Sequence, residues 1–161
     1  MKLKLQPAVG SRGFSLVEVL VVVAVIGILV AIAIGVISGV TGRAKVRATA
    51  SDFRTFQSAF VAYSILEGNF PPDAHNSVPA GVGMEVYLTK ESFEREAPIS
   101  GRYNWEGPDR YPYAGISLTT TNASVGELLD LDRILDDGDL STGSFRQMAN
   151  GRYTFVVAEN P

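Results

Sequence analysis

The chain has 161 residues and a formal net charge of −3, and it is 46% hydrophobic but only 19% charged. This length predicts one domain with at most a small appendage, and the acidic balance argues against a nucleic-acid partner. The absence of cysteine excludes a disulfide scaffold, a thiolate zinc site and a cysteine nucleophile. The single histidine, His75, has no catalytic motif around it, so we do not expect an enzyme.

The apolar excess is concentrated in one segment near the N-terminus. The 24 positions from Val19 to Gly42 contain no charged residue, whereas residues 1–13 carry three basic residues and no acid. A helix of this length would extend about 36 Å, enough to cross the roughly 30 Å hydrocarbon core of a bilayer. The segment predicts a membrane anchor or, alternatively, a secretory signal peptide cleaved after Ala33, although the apolar run continues past that point.

Glu18 lies at the edge of this segment, one helical turn after Phe14. A carboxylate in a membrane helix costs about 2.5–3.5 kcal/mol at the bilayer centre and less near the interface. A charged residue in such a position predicts a function that requires the negative charge. It also predicts a positively charged group that pairs with the carboxylate. The simpler alternative is an acid that reaches the interfacial water.

The sequence Gly13-Phe14-Ser15-Leu16-Val17-Glu18, placed between a basic leader and an apolar helix, resembles the prepilin motif of type IV pilins and type II secretion pseudopilins. The resemblance covers residues 1–72. It implies a leader peptide, 1–13, that prepilin peptidase removes by cutting after Gly13. It also implies that Phe14 is N-methylated and that Glu18 pairs with the Phe14 amine of a neighbouring subunit during assembly. If the match is accidental, the chain is a membrane-anchored or secreted binding module.

The same resemblance implies where the protein resides and what it contacts. It implies a single-pass protein of the bacterial inner membrane, with a periplasmic head, that later joins a periplasmic or extracellular filament. Its partners would be other pilin-like subunits in a homo- or hetero-polymer, prepilin peptidase, an inner-membrane assembly platform and membrane lipid. Many type IV pilins close their C-terminal region with a disulfide, so the absence of cysteine favours a secretion pseudopilus.

Beyond the predicted transmembrane and assembly helix, 14–42, the pattern indicates an amphipathic continuation of the helix over 43–67. Apolar residues recur there at spacings of three and four, which places them on one helix face. The helix is expected to end at Gly68, before Pro71-Pro72. The predicted buried face consists of Val46, Phe53, Phe56, Phe60, Tyr63 and Leu66.

The remaining residues, 68–161, predict a small globular head that must pack on this helix face because it is short for an independent core. We expect three to four antiparallel strands laid across the long helix, an α+β fold. Two hairpins and a helix opened by a Ser124–Glu127 capping box account for most of the head. The predicted elements are a short helix within 84–97, strands 102–105 and 111–118 with Pro112 at a sheet edge, helix 124–135, and strands 144–147 and 152–158 around Asn150-Gly151.

An acidic turn follows the second of these helices. Asp136, Asp137 and Asp139 place three carboxylates within four residues, around a glycine. Calcium takes six to eight oxygen ligands, so these carboxylates and nearby backbone carbonyls could hold it. Some major pseudopilins order a C-terminal loop with calcium, and the resemblance extends the expectation to this turn. A solvated acidic turn is the alternative, because Asp and Gly are common turn residues.

Overall fold

The structure, a computed structural model, describes residues 13–161, apart from the side chains of residues 33–39; most of the predicted leader, 1–12, lies outside the described residues. The chain divides into two compact units, one ending at Gly39 and the other running from Val40 to Pro161. The long N-terminal helix and a four-stranded antiparallel sheet confirm the predicted α+β class. The elements are helix α1 (Leu16–Glu67), a 3-10 turn (Met84–Val86), helix α2 (Lys90–Phe93), strands β1 (Arg102–Glu106) and β2 (Tyr113–Thr119), helix α3 (Val125–Leu135), and strands β3 (Phe145–Gln147) and β4 (Tyr153–Glu159).

In the first unit, the large apolar side chains of α1 are uncovered. From Phe14 to Ile32, each exposes between 50% and 79% of its surface. Among the described residues, no helix combines the length and the hydropathy needed to cross a membrane. The predicted span, 14–42, includes the side chains of residues 33–39, which lie outside the description.

The C-terminal half of α1 buries the predicted aromatic face, with one exception. Phe53, Phe56 and Phe60 are at most 1% exposed, which confirms the predicted spacing. Leu66, in contrast, is 71% exposed, so its predicted burial is wrong. At about 100° per residue, the six positions from Phe60 to Leu66 turn the side chain roughly 120° away from the buried face. Burial on this face therefore ends with Tyr63, whose ring contacts Tyr87 at a centroid distance of 5.6 Å.

The four strands form one sheet in the order β1-β2-β4-β3, with every neighbouring pair antiparallel. Arg102 lies opposite Thr119 in the first hairpin, and Phe145 lies opposite Phe155 in the second. Both predicted hairpins are confirmed. The capping box at the start of α3 is also confirmed, since the Ser124 hydroxyl accepts from the Glu127 N–H and the Glu127 carboxylate accepts from the Ser124 N–H.

Two predicted details of the head are wrong. β2 begins at Tyr113 and lies inside the sheet, between β1 and β4, so Pro112 does not mark an edge strand. Proline has no N–H to donate, and regular pairing therefore starts only after it. The segment 84–97 forms a 3-10 turn and the one-turn helix α2 in place of a single helix, because Thr89 between them is extended, with φ −76° and ψ 145°.

One face of the sheet packs on α1 through aromatic rings. The Phe60 ring stacks on the Trp105 ring with centroids 3.6 Å apart and an interplanar angle of 5°. Phe53 makes edge contacts with Tyr103 and with Phe145, each at a centroid distance of 5.6 Å. The aromatic stripe of α1 (Phe53, Phe56 and Phe60) therefore joins β1 at one side of the sheet to β3 at the other.

On the opposite face of the sheet, Glu106 is fully buried and well supplied with hydrogen-bond donors. Its carboxylate accepts from the Tyr113 hydroxyl, the Thr154 hydroxyl, the Asn150 amide and the Arg152 guanidinium, at distances from 2.9 to 3.3 Å. Burial of a charge is tolerated when it is paired and hydrogen-bonded in this way. Glu106, the last residue of the edge strand β1, thereby links the turn between β3 and β4 to strands β1, β2 and β4.

The Phe60–Trp105 contact gives a direct test of the packing. Phe60→Ala is expected to lower the free energy of unfolding by about 3–5 kcal/mol, because it leaves a cavity against Trp105. Leu66→Ala, on the same helix, is expected to change it by less than about 0.5 kcal/mol, because Leu66 is exposed. Denaturant unfolding followed by the fluorescence of Trp105, the single tryptophan, measures both. Equal losses for the two variants would contradict this packing.

Candidate functional site

The N-terminal candidate residues lie at the start of α1 in the first unit. Gly13 precedes the helix, and a Cβ added there would meet no atom of the described residues, 13–161, within 4 Å. Phe14 is 79% exposed. The part of the chain that the structure describes therefore places no steric demand for glycine at position 13.

Ser15 and Glu18 form a capping box at the N-terminus of α1. The Ser15 hydroxyl accepts from the Glu18 N–H at 3.2 Å, and the Glu18 carboxylate accepts from the Ser15 N–H at 3.4 Å. This arrangement satisfies two of the backbone donors left free at a helix start. The family resemblance implies an intermolecular role for Glu18, whereas this local role has its own sequence signal, Ser-x-x-Glu before an apolar run, which was not used.

A second candidate site lies in the head, where α3 ends. Carboxylate oxygens of Asp132, Asp136 and Asp137 lie within 4.8 Å of one another. Asp136 and Asp137 are two of the three residues predicted from the sequence, and both are exposed. Asp132, which the sequence analysis missed, is fully buried.

Asp132, near the end of α3, is a fully buried carboxylate. Neither oxygen meets hydrogen-bond geometry with a donor among the described residues, although the Gly138 N–H lies near enough to act against the rise in the pKa of the Asp132 carboxyl. The pKa of the Asp132 carboxyl is raised from 3.8 to about 6. Burial is the largest cause, and repulsion from the Asp137 carboxylate is the second. Because each pKa unit corresponds to about 1.4 kcal/mol, ionised Asp132 destabilises the folded chain by about 3 kcal/mol at neutral pH. This destabilisation is absent below the unfolded pKa and grows as the pH rises toward 7.

The loop after α3 fixes the other two carboxylates through its own backbone. The Asp136 carboxylate accepts from the N–H groups of Ser144 and Phe145, at the start of β3. The Asp137 carboxylate accepts from the Asp139 N–H and the Thr142 hydroxyl, both at 2.9 Å. The acidic loop, residues 136–144, therefore folds back on the carboxylates of Asp136 and Asp137, which accept hydrogen bonds from its own backbone and side chains. The loop leads directly into the core strand β3.

Gly143 allows this loop to close tightly. Its φ is +71°, and an added Cβ would collide with the carboxylate of Asp136. Any other residue at this position would therefore have an unfavourable backbone conformation, and its side chain would clash with Asp136.

The carboxylate of Asp139 does not belong to the cluster formed by the carboxylates of Asp132, Asp136 and Asp137. Its carboxylate accepts from the hydroxyl and N–H of Ser141, and these bonds hold the pKa of Asp139 below its ordinary value. Asp132, four residues before Asp136, occupies the position beside Asp136 and Asp137 that the sequence analysis assigned to Asp139. The available signal was helical spacing: Asp132 falls on the face of α3 that buries Leu128 and Leu131, where an acid is unexpected.

Comparison with known proteins identifies the N-terminal segment and the fold. Residues 10–34 match the family model described as the prokaryotic N-terminal methylation motif. The structure is similar to that of the major type IV pilin PilA1 from Clostridium difficile, with a TM-score of 0.51 and 17% sequence identity, over 73% of this chain and 97% of that chain. The search of curated proteins gave no match. The chain thus combines a prepilin-type methylation motif with a type IV pilin-like fold.

Proposed function

We propose that this chain is a structural, non-enzymatic subunit of a type II secretion pseudopilus or a related type IV pilus-like filament. The observation that carries the proposal is the methylation motif at residues 10–34, which leads into a helix whose apolar side chains are exposed through Ile32. Apolar surface of this extent needs lipid or protein to cover it. A subunit that waits in the inner membrane and then packs into a filament covers the same surface in both states.

The absence of cysteine from the chain supports the pseudopilus within this proposal. The subunit would be inserted with its head on the periplasmic side and with leader 1–13 in the cytoplasm. Prepilin peptidase would cut after Gly13, the Phe14 amine would be methylated, and an inner-membrane platform would drive polymerisation with like subunits.

Processing is tested at Gly13. Gly13→Glu is expected to remain uncleaved in cells that contain prepilin peptidase, whereas mass spectrometry of the wild-type protein should find an N-terminus at methylated Phe14. Because a Cβ at this position meets no atom of the described residues, loss of cleavage would reflect the peptidase and not misfolding of the described fold. A mature N-terminus at Ile34 would instead indicate a secretory signal peptide.

The role of Glu18 between subunits can be separated from its local role as a cap. Glu18→Gln keeps a side chain that can complete the capping box but removes the charge that would pair with a neighbouring Phe14 amine. We expect this variant to be inserted and cleaved normally, with filament yield reduced at least about tenfold, since losing one charge-assisted bond per interface costs about 1.5–3 kcal/mol.

Ser15→Ala is the matched control, because it removes half of the capping box and leaves the Glu18 charge in place. It is expected to assemble with nearly wild-type yield. Filament yield is measured by electron microscopy of sheared fractions. If Ser15→Ala lost filaments while Glu18→Gln kept them, Glu18 would act as a helix cap and not as an intermolecular partner.

The proposal includes a calcium ion at the acidic loop. Asp132, Asp136 and Asp137 would hold it, with further ligands from backbone carbonyls or water. The observation that favours a bound cation here is Asp132, a buried carboxylate that has no hydrogen-bond partner among the described residues. A divalent cation would neutralise the three mutually repelling acids and fix the loop that positions β3.

Calcium dependence is tested by thermal unfolding of the full chain in detergent micelles. Calcium at a hundred times its dissociation constant should stabilise the fold by about 2.7 kcal/mol, which raises the Tm by about 10 °C relative to chelator. Asp132→Asn should abolish this difference and should itself raise the Tm in chelator, because the uncharged amide is cheaper to bury. Asp130→Asn, an exposed neighbour on α3, should keep the full calcium response. Identical melting of the wild type in calcium and in chelator would exclude the metal.

A further inference from the structure

A basic groove lies between α1 and α3 in the second unit. It is lined by Arg43, Val46, Arg47, Asp130, Arg133 and Ile134, and its volume is about 230 Å³. Three guanidinium groups border it against a single carboxylate, Asp130, which already pairs with Arg133 at 2.6 Å. Within the described part of the chain, no carboxylate lies within ion-pair distance of Arg43 or Arg47. The groove thus carries an uncompensated positive charge, although the protein as a whole is acidic.

The floor of the groove is apolar. Val46 is only 3% exposed, and Ile134 packs against the hydrophobic core. The arginines can bind an anionic group, and the apolar residues can contact an apolar part of the same ligand. A free inorganic anion would make only the first kind of contact, so the groove favours a ligand that has both parts. An amphiphile with a phosphate is the chemistry that fits.

The position of the groove in the chain indicates which amphiphile is available. Arg43 directly follows the uncharged segment that ends at Gly42, and Arg47 lies about 6 Å further along the helix axis. The headgroup layer of a bilayer is roughly 5–7 Å thick on each side of its hydrocarbon core. If the segment to Gly42 is buried in the membrane, both arginines fall at the depth of the lipid phosphates.

We propose that the groove formed by Arg43, Arg47 and Arg133 binds the phosphate of an anionic phospholipid while the subunit is held in the membrane. This site rests on the membrane-inserted state of the proposed function. Juxtamembrane arginines gain energy near an anionic surface, and here the third guanidinium comes from α3. Lipid binding would therefore hold the head, and not only the helix, against the bilayer.

The test compares the full chain in nanodiscs of phosphatidylcholine alone and of phosphatidylcholine mixed equally with phosphatidylglycerol. Unfolding of the head is followed by the fluorescence of Trp105. We expect the Tm to be about 5 °C higher in the anionic discs and the difference to shrink with added salt. Inorganic phosphate added to the phosphatidylcholine discs is expected to have no such effect; an equal rise there would overturn the lipid assignment in favour of a simple anion site.

Lys45 provides a matched control, since it is exposed at the same depth but does not line the groove. Arg47→Gln should remove most of the difference between the two lipid compositions, whereas Lys45→Gln should preserve most of it. Equal losses would mean a diffuse electrostatic effect and would overturn the site. A chain that enters both discs and melts identically in them would also overturn it, whereas a chain that enters neither would overturn the proposed function itself.

Discussion

The fold of the head depends on the contact between the aromatic stripe of α1 and the inner face of the sheet. The strands are three to seven residues long, and a small antiparallel sheet in water needs a helix or a second sheet against its apolar face. Phe53 and Phe60 supply that cover from one helix, and they reach β1 and β3 at opposite sides of the sheet. The same helix that carries most of the methylation motif therefore also supplies a large share of the core of the head.

Two buried carboxylates show how differently one fold can treat the same group. Glu106 receives hydrogen bonds from four side chains and stabilises the junction of three strands with a turn. Asp132 is equally buried but has no partner within the described residues. A buried carboxylate without a partner lowers the stability of the fold unless a cation or a proton neutralises its charge. That contrast is the reason we propose a cation at Asp132 and none at Glu106.

The sequence was sufficient for features that depend on neighbouring residues. The helix end at Gly68, the capping box at Ser124 and the turn at Asn150-Gly151 each follow from local backbone chemistry, and all are found. Features that depend on three-dimensional proximity were harder to predict. Asp139 lies close to Asp137 in sequence, yet its carboxylate accepts from Ser141, whereas the Asp132 carboxylate reaches the cluster from within α3. The partners of Glu106 lie as far as 48 positions along the chain, a separation that no local pattern signals.

The aromatic stripe also has a consequence for the biosynthesis of the chain. Phe53 is made early, but Phe145 and Phe155, which cover it, follow about 100 residues later. At a translation rate of about 5–20 residues per second, Phe53 waits about 5–20 s before β3 and β4 exist. During that interval the nascent chain carries both the uncharged segment and a Phe53 ring that lacks two of its aromatic neighbours. The core around Phe53 is therefore complete only after β4, the last strand of the chain, has been made.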